Sequence, residues 1–146
     1  NLPSAMVITP DLARAPIPWA QRPTLTLREG VADAGDLVGI TGAFGGVAET
    51  GTLMLLSGAE AATRNTFLPD NHIVVLRAEQ IVPTYAEGWS RLRALKTLTD
   101  GKFTMPRTVN FITGPSRTAD IELKIELGAH GPRRLHILIV DEAPGD

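Results

Sequence analysis

What most constrains this chain is a succession of short, nearly continuous apolar runs, each set off by polar, glycine or proline positions. Ala5-Met6-Val7-Ile8 ends at Thr9-Pro10, and Leu37-Val38-Gly39-Ile40-Thr41 starts from a turn at Gly35-Asp36. Leu53-Met54-Leu55-Leu56 stops at Ser57-Gly58, and His72-Ile73-Val74-Val75-Leu76 follows the turn at Asp70-Asn71. Thr108-Val109-Asn110-Phe111-Ile112 and Leu135-His136-Ile137-Leu138-Ile139-Val140 complete the series, with a further short strand around Leu25 and Leu27. Runs of this length, bounded by turn residues and mostly rich in β-branched side chains, read as strands.

One segment carries the helical period. Tyr85, Trp89, Leu92, Leu95 and Leu98 recur at three- and four-residue steps after Thr84, whose hydroxyl and Glu87 match a capping box. This predicts an amphipathic helix ending near Gly101. A shorter helix is expected over Ala59 to Asn65, before Pro69. Pro16, Pro18 and Pro23 predict irregular chain between them. Ile121 to Leu127 alternates as a strand would, yet its Glu and Lys residues suit a short helix equally well. Nearly continuous apolar strands alternating with helix predict an α/β fold, a largely parallel sheet with helices on both faces.

The length of 146 residues is near the usual size of one domain, so residues 1–146 are read as a single unit. Fourteen basic and sixteen acidic residues give a net charge of -2, without the basic surplus or stripe of a nucleic-acid binder. Arg outnumbers Lys by eleven to three, which suits either a GC-rich genome or fork-like recognition of carboxylate and phosphate. With no cysteine, the chain has no disulfide, thiol nucleophile, thiolate zinc site or iron–sulfur cluster of its own. His72, His130 and His136 lack metal-motif spacing, so no metal site is expected. Without a membrane-length apolar run or a leader pattern, a cytoplasmic protein with no membrane segment is expected.

Chemistry is expected in three polar, glycine-bearing segments that adjoin the strands: Gly45 to Thr52, Thr113 to Glu122, and Gly128 to Arg134. In an open α/β sheet, ligands collect outside the carboxyl ends of the strands. Glycine lets backbone N–H groups approach one anion, while Ser116, Thr118 and Arg117 add hydroxyls and a charged fork. Glu49 reads as a base or nucleophile, as an exposed loop carboxylate, or as a cap for a helix end. Asp120 reads as a ligand-site residue or as the cap of a helix beginning at Ile121. His130, between glycines and before Pro132, reads as loop-fixing or as acid–base, while His72 and His136 read as structural. No nucleophile elbow, phosphate-binding Walker loop, zincin helix or dinucleotide fingerprint is present. The residues by themselves therefore reach an anion-binding α/β domain.

Ala48-Glu49-Thr50-Gly51-Thr52, Leu68-Pro69-Asp70-Asn71-His72-Ile73, Gly114-Pro115-Ser116-Arg117-Thr118-Ala119-Asp120-Ile121-Glu122 and Gly128-Ala129-His130-Gly131-Pro132 resemble, in order, the signature stretches of the LUD (lactate utilization) family. The resemblance runs from about Leu37 to Val140. It implies a fold similar to the ribose-5-phosphate isomerase, glucosamine-6-phosphate deaminase and CoA-transferase group. Family members usually carry a largely helical part before the matched region, and this chain is expected to lack it. A family member that serves the oxidation of L-lactate to pyruvate does so with two iron–sulfur partner proteins. The resemblance therefore implies iron–sulfur clusters on partner subunits and none on this chain. On this basis Glu49 and His130 are the expected catalytic residues, with Thr50, Gly51, Thr52, Gly114, Ser116, Arg117, Thr118 and Asp120 around a small anionic ligand. The alternatives are a free-standing enzyme on CoA esters or sugar phosphates with Glu49 as nucleophile or base, and a sensing or assembly module without chemistry.

Overall fold

The computed structural model describes residues 5–13, 15, 17–59, 63–98, 102, 105–115, 117–119, 125–127 and 131–141. Its elements run β1 (Ala5–Ile8), α1 (Pro10–Ala13), β2 (Thr26–Glu29), β3 (Val38–Gly42), β4 (Gly45–Val47) and β5 (Thr52–Leu56). Then come α2 (Thr63–Phe67), β6 (Asn71–Arg77), β7 (Ile81–Val82) and α3 (Tyr85–Leu98). The chain continues through β8 (Val109–Ile112), β9 (Arg117–Ala119), β10 (Ile125–Leu127) and β11 (Arg134–Val140).

A five-stranded sheet, ordered β11-β6-β3-β1-β2, is the centre of the fold, and every pairing in it is parallel. This is the largely parallel sheet expected from the apolar runs. Alternation along each strand divides its side chains between two faces. Ile8, Val38, Ile40 and Val75 point to one face, where Leu12 of α1 and the partly buried Ile17 and Trp19 cover them. Val74 and Leu76 point to the other, against Leu53 and Leu55. On that second face α2 crosses β3 at Gly39. A Cβ there would lie 2.2 Å from the Asn65 carbonyl oxygen, so only glycine admits the helix. Asn65 is fully buried; its amide donates to the Gly30 carbonyl at 2.7 Å and its oxygen accepts from Ala32 N–H at 2.8 Å.

The sequence reading did not separate a second sheet, ordered β7-β4-β5-β8, which lies over β6. β5 and β8 are antiparallel members of this layer and not strands of the parallel sheet. The segment taken as a glycine-rich loop from Gly45 is itself strand over Gly45–Val47, and the turn is Ala48–Gly51. Gly46 makes the close packing possible, because a Cβ there would meet Leu76 Cδ2 at 2.9 Å. On the far side of this sheet, Val47, Met54 and Val82 form a separate apolar cluster with Tyr85 and Val109. Phe111 of β8 packs against the rings of Tyr85 and Trp89 of α3, each at 5.5 Å between centroids.

Among the described residues the shorter helix covers Thr63–Phe67, ending two residues after the expected Asn65, and Leu68 N–H still closes on the Arg64 carbonyl at 2.9 Å. Of the ambiguous stretch Ile121 to Leu127, the Ile125–Leu127 part is strand, paired antiparallel with β9. Residues 121–124 lie outside the described residues, as does the helix cap expected at Asp120. Among the described residues, no helix is long and apolar enough to cross a membrane.

Candidate ligand site

Closing the β4–β5 hairpin places Glu49, Thr50, Gly51 and Thr52 beside the first turn of α3. Gly51 has a φ of +63°, a left-handed conformation that costs glycine nothing. The hairpin register pairs Val47 with Thr52, and β5–β8 pairing puts Ile112 beside Leu53. Thr113 therefore arrives next to Thr52 from a different segment of chain.

Four hydroxyls meet there. Thr52 is 1% exposed, and its Oγ1 lies 2.7 Å from Thr113 Oγ1, 2.8 Å from Thr50 Oγ1 and 3.0 Å from the Tyr85 phenol oxygen. Thr50 Oγ1 also donates to the Tyr85 oxygen at 3.2 Å. Hydrogen bonds from Thr50 and Thr52, with a smaller contribution from Thr113, lower the Tyr85 pKa; desolvation and the Glu49 charge oppose the shift. Thr52 is buried among its neighbours, while Thr50 and Thr113 are exposed and Tyr85 is half-buried.

Glu49 stands at the same edge. Its Oε1 accepts the backbone N–H of Tyr85 at 3.1 Å, one of the donors that the start of a helix leaves unpaired. Thr84 Oγ1 accepts Glu87 N–H at 3.3 Å, the expected limb of the capping box. Of the roles open to Glu49, that of a cap for a helix end is visible, on a side chain that remains exposed.

The structure thus gathers Glu49, Thr50, Gly51, Thr52 and the loop opening at Thr113 and Gly114, whose φ is +128°. Arg117 and Thr118 are not in a loop: their backbone forms β9, paired with Leu127 and Glu126 of β10. Ser116, Asp120 and His130 lie outside the described residues. Gly131 to Arg134, the described part of the third segment, lies at the amino end of the parallel sheet and not at its carboxyl end. Arg133 and Arg134 N–H groups bond the Asp70 carbonyl at 2.8 and 3.1 Å, because the β11–β6 register starts with Arg134 beside Asn71. Tyr85 was missed as a site residue. Its apolar spacing signalled a packing face, and only its place in the first helical turn, as the chain's single tyrosine, hinted at more. Among the described residues, no three His, Asp or Glu side chains gather to hold a metal ion.

Residues 25–140 match the family model of the LUD domain. The chain belongs to the LUD domain family. This LUD chain is 36% identical over 141 residues to a lactate utilization protein C of Deinococcus radiodurans, covering 92% of this chain and 62% of that relative. It is 35% identical over 105 residues to a lactate utilization protein C of Halalkalibacterium halodurans, covering 72% of this chain and 44% of that relative. The LUD chain thus spans from under half to about three fifths of these curated relatives. A crystal structure of a DUF162 family protein from Deinococcus radiodurans superposes with a TM-score of 0.55 at 28% identity, over 93% of this chain and 74% of that one.

Proposed function

We propose that this LUD chain is a subunit or accessory protein of an iron–sulfur system that oxidises L-lactate to pyruvate. In this proposal the hydroxyl cluster around Thr52 holds a small carboxylate. The cluster is the observation that carries the reading: a buried threonine holds Thr50, Tyr85 and Thr113 together, and these hydroxyls, which bond one another in this structure, turn their O–H groups toward an anion when it binds. The naming of the relatives as lactate utilization protein C supports lactate as the substrate.

Oxidising lactate to pyruvate removes two protons, one from the hydroxyl and one from the α-carbon, together with two electrons. Glu49 or His130 assists the transfer of both protons to solvent, and Arg117, Ser116, Thr118 and Asp120 complete the ligand's surroundings. The electrons pass to clusters held by partner subunits, since this chain offers no cysteine thiolate to bind one.

Purifying the tagged protein from its native host grown on lactate tests the proposal. The expected result is co-elution with iron-containing partners and lactate-dependent reduction of an electron acceptor. A protein that elutes alone, free of iron and inert to lactate, would overturn it.

A further inference from the structure

The two edges of the parallel sheet differ. β2 ends it on one side with four residues that include Arg28 and Glu29, and Arg28 forms an ion pair with Asp36. A short, charged strand is a common way to keep a sheet edge from pairing with another chain. β11 ends the other side with seven residues, and no Asp, Glu, Lys, Arg or Pro stands from Leu135 to Val140. Among the described residues β11 pairs with β6 alone, which leaves the backbone groups of its outer side open.

Apolar cover also runs out at this edge. In the β11–β6 register, Ile137 and Ile139 sit beside Val74 and Leu76 on one face, and Leu138 sits beside Val75 on the other. Val74, Val75 and Leu76 are buried, whereas Ile139 is 61% exposed and Ile137, Leu138 and Val140 are each more than a third exposed. Consecutive apolar residues left open on both faces of an edge strand mark a surface that association covers.

Charge selects the occupant. Arg133 and Arg134 stand at the start of β11 and Asp141 just past its end, all three exposed. A strand that is basic at its start and acidic at its end is complementary to an antiparallel copy of itself. A two-fold axis perpendicular to the sheet keeps each face on its own side, so residues that meet across it belong to the same alternating set. The register that pairs all seven residues sets Ile137 opposite Ile137 of a second copy, Leu135 opposite Ile139, and His136 opposite Leu138. One step beyond the strand, Arg133 then falls opposite Asp141 at both ends.

We propose that β11 is the interface of a homodimer, in which two copies join edge to edge, antiparallel about Ile137, and merge their five-stranded sheets into one. This interface is independent of the lactate reading and stands or falls apart from it. Sedimentation equilibrium of the full chain at micromolar concentration should give twice the mass of one chain. Ile139→Lys should give the single mass, with thermal unfolding showing the fold intact. Asp141→Arg, on an exposed residue, replaces two opposite-charge pairs with two like-charge pairs and should raise the dissociation constant about tenfold. Arg133→Glu added to it should restore association.

The chain has no cysteine, so a single introduced thiol reports the register. Ile137→Cys lies at the axis and should link two copies by a disulfide under mild oxidation. Ile139→Cys, roughly 13 Å along the strand from its own equivalent, should not. A chain that is monomeric from micromolar to millimolar concentration overturns the proposal and leaves the edge to a different partner. A dimer indifferent to Ile139→Lys, a charge swap that fails to restore association, or a disulfide that forms as fast in Ile139→Cys as in Ile137→Cys overturns it equally.

Discussion

Thr41 Oγ1 and His72 Nε2 lie 2.9 Å apart across the neighbouring strands β3 and β6, both side chains buried. The other ring nitrogen of His72 has no partner among the described residues, and burial lowers the pKa from 6.5 to about 4. The folded ring is therefore neutral where an unfolded histidine takes up a proton. This contribution to stability is intact above about pH 6.5 and is lost progressively as pH falls toward about 4, reaching roughly 2 kcal/mol by about pH 5. Urea unfolding at neutral pH and near pH 5 should show that loss in the protein and a smaller one in His72→Gln. Equal losses in the two would remove histidine burial as the cause.

Tyr85 is the only tyrosine, so ultraviolet absorbance reports its ionisation without interference from another. Its midpoint is expected below the ordinary value of 10.0, because Thr50 and Thr52 hydrogen-bond its oxygen. Thr52→Val should move the midpoint upward, and Thr50→Val should do the same. Midpoints that do not respond to either change would mean that the hydroxyl cluster does not persist in solution.

Glu49 is the residue at which capping and chemistry can be separated. Glu49→Gln keeps an oxygen for Tyr85 N–H but removes the charge at the start of α3, which should cost about 0.5–1 kcal/mol in urea unfolding. Glu49→Ala, which loses the acceptor as well, should cost about 1–2 kcal/mol. If Glu49 takes the lactate proton, Glu49→Gln should also reduce lactate-dependent electron transfer by about a hundredfold or more. Full turnover in a folded Glu49→Gln protein would leave this residue a cap alone.

Glycine tolerance should differ sharply between two positions. Gly39→Ala forces a Cβ against the Asn65 backbone and should lower stability by about 3 kcal/mol or more, since α2 must move off β3. Gly51→Ala meets open space, so its cost is the left-handed backbone alone, about 1 kcal/mol. Comparable melting temperatures for the two variants would contradict the packing of α2 on β3.

The apolar strands β1, β2, β3, β5, β6, β8 and β11, the helix over Tyr85–Leu98 and the parallel character of the central sheet were determined by the sequence itself. Each follows from side chains within a few positions of one another: apolar runs such as His72–Leu76, the step from Trp89 to Leu92, the Thr84–Glu87 cap. The motif around Glu49 was equally legible, as was the absence of any thiolate for a cluster. Which strands pair is a different matter. The apolar run at Leu53–Leu56 suits a parallel or an antiparallel neighbour alike, and tertiary structure alone placed it with β4 and β8 in a second sheet. The candidate site was legible only in part for the same reason. Thr52 meets Tyr85 and Thr113 across 33 and 61 residues of chain, separations that local periodicity does not report. Tyr85 therefore read as packing, and the Gly131–Arg134 loop read as a neighbour of the others although the β11–β6 register holds it at the amino end of the sheet. Local order follows from local sterics and hydrophobic spacing, whereas the site depends on which distant segments bury one another.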